Sequence, residues 1–133
     1  MTSKVTYLGN LRTEAEHLQS GSKMITDAPV DNHGKGEAFS PTDTVATALA
    51  SCMLTIMGIK ANDHQMEIEG TTAEVTKVMT DKPRRISKIE INISVKGSFE
   101  EKEKKILENA ALTCPVYHSL HTDIEKLINF NYS

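Results

Sequence analysis

SPTDTVATALASCMLTIMG, residues 40–58, begins with a helix-start signature and is apolar on most of its circumference once wound as a helix. Ser40 reads as the N-cap, Pro41 takes the first helical position where its missing N–H costs nothing, and Asp43 lies near the positive end of the dipole. Val45, Ala48, Leu49, Cys52, Met53 and Ile56 form one stripe at helical spacing, and Ala46, Ala50, Leu54 and Met57 form a second. Only Thr44, Thr47, Ser51 and Thr55 make a narrow polar strip between them. A helix apolar nearly all round is buried nearly all round. A chain of 133 residues can hardly wrap such a helix by itself, so a second subunit is expected to help cover it.

Upstream, Val5 to Leu18 carries a broken alternation that Ser20-Gly21-Ser22 ends before Lys23 to Thr26, which predicts two strands joined by a turn. Asp27 to Phe39, rich in Asp, Asn, Gly and Pro, reads as a loop, with Gly34 and Gly36 open to unusual backbone angles. Downstream, Met66 to Met79 is a predicted strand with a bulge at Gly70, and Asp81-Lys82-Pro83 turns the chain. Ile89, Ile91, Ile93 and Val95 alternate with Glu90, Asn92, Ser94 and Lys96, the cleanest half-buried strand pattern present. Ser98 and Glu101 suggest a capping box for a helix running to about Leu112, with Phe99, Ile106, Leu107 and Ala110 facing inward. A second helix is expected from Cys114-Pro115, carrying Val116, Leu120 and Ile124. Ile128, Phe130 and Tyr132 predict a last strand. Strands, buried helix, strands, two helices and a strand make an α+β fold, read as a single domain over 1–133.

Composition narrows the function classes. Eighteen acidic residues outweigh 15 basic ones, and basic residues gather only in short groups such as Lys102, Lys104 and Lys105, so nucleic acid is not an expected partner. No run approaches the roughly 20 continuous apolar residues of a membrane span, and Met1 to Asn10 has no signal-peptide core, so a cytosolic protein without a membrane partner is expected. Two cysteines, Cys52 and Cys114, are too few for a disulfide scaffold in a cytosolic chain; such a pair is catalytic, redox-active or simply buried. Cys52, deep in the apolar helix, reads by position as a packing residue. Cys114, at a helix cap, sits where oriented N–H groups favour a thiolate.

Ser40 to Cys52, SPTDTVATALASC, and Cys114 to Leu120, CPVYHSL, resemble the two signature segments of the OsmC/Ohr family of organic hydroperoxide peroxidases and their relatives. The likeness in order and spacing extends over nearly the whole chain. It implies an OsmC-like fold, an intertwined homodimer whose strands pack around a central buried helix, and active sites at the subunit interface. It also implies roles: Cys52 attacks the hydroperoxide, Cys114 resolves the sulfenate as a disulfide, and an external dithiol reduces it, with no cofactor or metal. Arg12 matches the family arginine that holds thiolate and peroxide oxygens. Met53, Ile56 and Met57 are the expected walls for an organic hydroperoxide's apolar tail.

One position departs from the peroxidase branch: Thr42 stands where a glutamate orients the arginine, leaving Asp43 and Glu37 as substitutes. His17 is a candidate proton donor to the leaving alkoxide. Cys114, His118 and His121 share a helical spacing but lack a fourth ligand, so no metal site is assigned. The competing reading is a non-catalytic relative that binds an apolar ligand or senses redox state at the dimer interface.

Overall fold

The computed structural model describes residues 1–133, and the chain divides into two compact units, Met1–Val45 and Ala46–Ser133. The first holds a three-stranded antiparallel meander, β1 (Ser3–Gly9), β2 (Arg12–His17) and β3 (Lys23–Asp27). Three strands appear where two were expected, because Gly9, Asn10 and Leu11 all take positive φ and close a tight hairpin inside the Val5–Leu18 segment. Paired positive φ values are the requirement of the hairpin turn whose twist matches its strands. Residues 28–39 form the expected loop, with a 3-10 turn at Val30–Asn32. Its glycines answer different needs. Gly36 has φ +64°, while a Cβ at Gly34 would collide with the Ala28 carbonyl.

Helix α1 (Pro41–Asp63) starts at the expected residue. Ser40 and Asp43 cap it reciprocally: the Asp43 N–H donates to Ser40 Oγ at 3.0 Å, and the Ser40 N–H donates to Asp43 Oδ2 at 3.0 Å. Contrary to the sequence expectation, this helix is long and apolar enough to cross a membrane by length and composition. In the fold, Leu49, Met53 and Met57 are completely buried in the core. Ala48, Ser51, Thr55 and Ile59 remain exposed, so one chain does not cover the helix all round.

The second unit is a mixed sheet, β4 (Thr72–Thr80), β5 (Arg85–Val95) and β6 (Glu125–Tyr132), in that spatial order. β4 and β5 are antiparallel, whereas β5 and β6 are parallel, joined through α2 (Glu101–Leu112) and α3 (Pro115–Ser119). The alternation in β5 puts Ile89, Ile91, Ile93 and Val95 in the core with no exposed surface. Each such side chain contributes roughly 1.5–3 kcal/mol of burial. β4 begins later than expected because Gly70, at φ +92°, ends the preceding turn; the bulge falls instead between Val78 and Met79. The N-cap of α2 falls at Glu100, two residues beyond the predicted Ser98. Glu100 and Glu103 form the capping box, and Phe99 packs edge-on against Tyr132, 6.5 Å between rings, outside the helix. α3 is one turn long and stops at Ser119, so Leu120 and Ile124 lie beyond it.

Candidate active site

Proline fixes where the second cysteine sits. A residue before proline is pushed out of the helical region, and Cys114 has φ −68° and ψ 146°, an extended residue between the end of α2 and Pro115 at the start of α3. As the N-cap of α3, its Sγ accepts the Tyr117 N–H at 3.3 Å. Its side chain has no exposed surface. Cys52 projects from the middle of α1 and is half-buried. Both are free thiols, and Cys52 is close enough to Cys114 to perturb its titration. Two residues far apart in sequence are thus brought together inside one unit.

A helix cap alone favours a thiolate at Cys114, but here burial has the opposite and larger effect. Burial pushes the Cys114 thiol above its ordinary range, more strongly than the Tyr117 and Val116 N–H groups pull it down, and the neighbouring Cys52 pushes it further up. A short cap donates two partial charges, while desolvation acts on the whole thiolate. Cys114 therefore keeps its proton.

Arg12 belongs to the first unit, at the start of β2. Its Nη2 donates to Asp27 Oδ2 at 3.2 Å and to Glu37 Oε2 at 3.3 Å. Asp27 also accepts the Glu37 N–H at 3.1 Å. The hydrogen bond from Arg12 holds the Asp27 carboxyl below its usual range despite burial, and Asp27 in turn raises Arg12. Asp27, only 3% exposed, ends β3 and is not the first residue of the loop that its sequence predicts. Its signal was the strand register: Glu16 faces Lys23 across the β2–β3 hairpin, and counting back brings Arg12 opposite Asp27. Leu8, Gly9, Asn10, Lys35 and these charged residues line a small cleft of about 190 Å³.

The remaining candidates fall elsewhere. Asp43 is engaged in the helix cap, and Thr42 Oγ1 lies 3.2 Å from Ser40 Oγ. Glu37 does reach the arginine, but from an exposed position, 61% accessible. His17 is exposed at the end of β2, 2.6 Å from Ser20 Oγ. Met53 and Met57, expected as pocket walls, are sealed in the core; Ile56 is half-buried. The cleft of about 520 Å³ in the second unit is lined by Leu54, Gly58, Ala61, Met66 and the Glu67 to Thr71 turn, and neither cysteine contributes to it. His121 lies past the end of α3, so it does not share a helix face with Cys114 and His118.

A family model described as OsmC-like protein matches residues 34–126, which include both cysteine segments. The chain belongs to the OsmC-like family. A crystal structure from Psychrobacter arcticus 273-4, provisionally named an osmotic stress induced and detoxification response protein, is 60% identical to this OsmC-like protein. It has a TM-score of 0.95, with 98% of this chain and 96% of that one covered. An OsmC-like protein from Mycoplasma pneumoniae shares the fold at TM-score 0.82 and 16% identity, over 98% and 94% of the two chains. An organic hydroperoxide resistance protein OsmC from Legionella pneumophila shares it at TM-score 0.73 and 18% identity, over 98% and 97%. No curated protein matches the sequence. These likenesses establish the OsmC-like α+β fold that the two motifs implied.

Proposed function

We propose that this protein is a thiol-dependent peroxidase that reduces organic hydroperoxides to alcohols. The observation that carries this reading is the proximity of two free thiols of unequal exposure, Cys52 half-buried and Cys114 closed. Similarity in fold to proteins named for organic hydroperoxide resistance supports it. In the first step the Cys52 thiolate attacks the distal peroxide oxygen; the O–O bond breaks, the alkoxide takes a proton and leaves as alcohol, and Cys52 becomes a sulfenic acid. Cys114 then attacks the Cys52 sulfur, water departs, and a disulfide forms. An external dithiol returns both thiols and leaves as its own cyclic disulfide. The greater exposure of Cys52 supports giving it the attacking role that the family resemblance implies, with the closed Cys114 as the resolving residue.

Arg12 is assigned by family resemblance to hold the thiolate and peroxide oxygens, and Asp27 with Glu37 supplies the carboxylates that orient it in place of the glutamate missing at Thr42. A homodimer is part of the same proposal, supported by the open side of α1 at Ala48, Ser51, Thr55 and Ile59. A cytosolic location accords with the need for reduced thiols. Stopped-flow turnover of cumene hydroperoxide with dihydrolipoamide tests the activity. The proposal predicts dithiol-dependent alcohol formation abolished in Cys52→Ser; no turnover and no loss of thiols on oxidation would overturn it.

A further inference from the structure

Along β6 every second side chain turns inward. Ile128, Phe130 and Tyr132 pack against the core of the second unit, and Lys126 holds the next place on the same face. The sheet register repeats this: Ile128 and Phe130 stand beside the buried Ile91 and Ile93, and Lys126 stands beside the buried Ile89. An ammonium on a core face costs free energy unless its protons are accepted. The acceptors here are neutral. Lys126 Nζ donates to the Ile124 carbonyl at 3.1 Å and to the His121 carbonyl at 3.4 Å, and it lies 5.3 Å from the centre of the Tyr117 ring. An apolar side chain would continue the alternation of β6 and fill the same space. What it would not do is bond two carbonyls and the face of an aromatic ring at once.

Those three contacts converge on α3. With five residues it makes a single turn, too short to hold itself by its own hydrogen bonds. Val116 and Tyr117 pack it against the core, and Lys126 supplies the polar tie, to the Tyr117 ring on one side and to the turn that follows α3 on the other. Tyr117 is also the residue whose N–H donates to Cys114 Sγ at 3.3 Å. We infer that Lys126 is a positioning residue for the Cys114 thiol: acting through Tyr117, it staples α3 and the turn after it to β6 and so keeps the sulfur closed. For turnover, the inference rests on the disulfide cycle proposed above. Cys52 lies on α1 and its oxidation uses no part of α3, whereas the disulfide step requires Cys114 to stay in one place.

The test compares Lys126→Met, which keeps an inward stem and removes the ammonium, with Lys126→Arg, whose guanidinium can still donate to carbonyls and stack on the ring. Both are made in a Cys52→Ser background, which leaves Cys114 as the one thiol. Labelling with N-ethylmaleimide at fixed pH, followed by mass spectrometry, reads how often the fold opens, because a sulfur without surface reacts only from an opened state. Loss of the charge-assisted bonds is expected to speed labelling of Lys126→Met by at least about fivefold, with no dependence on urea below the unfolding transition, while Lys126→Arg recovers most of the protection. A smaller rise, a rise that grows log-linearly with urea as global unfolding does, or an arginine variant as open as the methionine one overturns the inference. A second readout restores Cys52 and adds one equivalent of cumene hydroperoxide. Cys52 is expected to be oxidised as fast in Lys126→Met as in the parent, with more sulfenate trapped by dimedone because the disulfide forms more slowly; an equal or smaller trapped yield overturns the inference. If Cys52 of the parent is not oxidised at all, the peroxidase reading fails, and the labelling result still decides the role of Lys126.

Discussion

Met57→Ala removes most of a side chain that has no exposed surface and packs in the core of the second unit. Truncating a fully buried methionine forfeits its transfer energy and leaves a cavity, together about 2–5 kcal/mol. At about 4 °C per kcal/mol for a domain of this size, the melting temperature falls by roughly 8–20 °C. Met57→Leu, which conserves volume, costs less than about 1.5 kcal/mol. Thermal unfolding followed by circular dichroism gives the stability. The kcat/KM for cumene hydroperoxide, taken well below the alanine variant's transition, separates packing from substrate contact. The structure predicts a large loss of stability with kcat/KM within about threefold, since a buried side chain has no face for a substrate. The opposite pattern, a melting temperature within about 2 °C of the parent and a fall in kcat/KM toward long-chain hydroperoxides, would make Met57 a pocket wall and overturn its assignment to the core.

Asp27, held below its ordinary value chiefly by Arg12, contributes stability that is present above the unfolded value of 3.8 and lost as pH falls through the folded one. Asp27→Asn is therefore expected to destabilise the protein near neutral pH and to flatten the acid limb of a melting-temperature profile below that value. Cys114 has the opposite sign: raised above 9.0, it contributes stability that is complete below that pH and lost as pH climbs through the folded value. Cys114→Ala should show a shallower alkaline decline than the parent in the same profile. The residual decline includes Tyr132, which burial and Glu108 also push upward. Two glycines should respond in opposite directions to alanine. Gly58, inside α1 with open space around its Cα, gains about 0.5–1 kcal/mol by urea denaturation, whereas Gly34, against the Ala28 carbonyl, loses about 1–3 kcal/mol.

Much of the fold was legible because its strongest elements are locally consistent. The Ser40–Asp43 cap, the α1 stripes and the alternation of Ile89 to Val95 each state their structure within a few residues. The misreadings lie where one or two residues override a pattern. Gly9-Asn10-Leu11 cut one apparent strand into two, and Gly70 ended a turn where a bulge was expected. The short α3 had no cap beyond Ser119 to announce its end. Cys52 and Cys114 were visible as chemistry, yet only tertiary packing shows that Cys114 is sealed and therefore protonated, reversing the cap argument. Asp27 was hidden because its meaning depends on strand register, and the register depends on the hairpin that the turn at Gly9 creates. The methionines illustrate the converse error: an apolar residue beside a candidate nucleophile reads as a pocket wall until its exposure is known.

Oxidation of the reduced protein with one equivalent of cumene hydroperoxide per chain, followed by alkylation under denaturing conditions and peptide mapping, tests the redox pair most directly. The expected products are the loss of both thiols, one molecule of cumyl alcohol per chain, and a single disulfide joining the Cys52 and Cys114 peptides of the same chain. Thiols that stay reduced, or a Cys52 oxidised to sulfinic acid while Cys114 remains free, would contradict it.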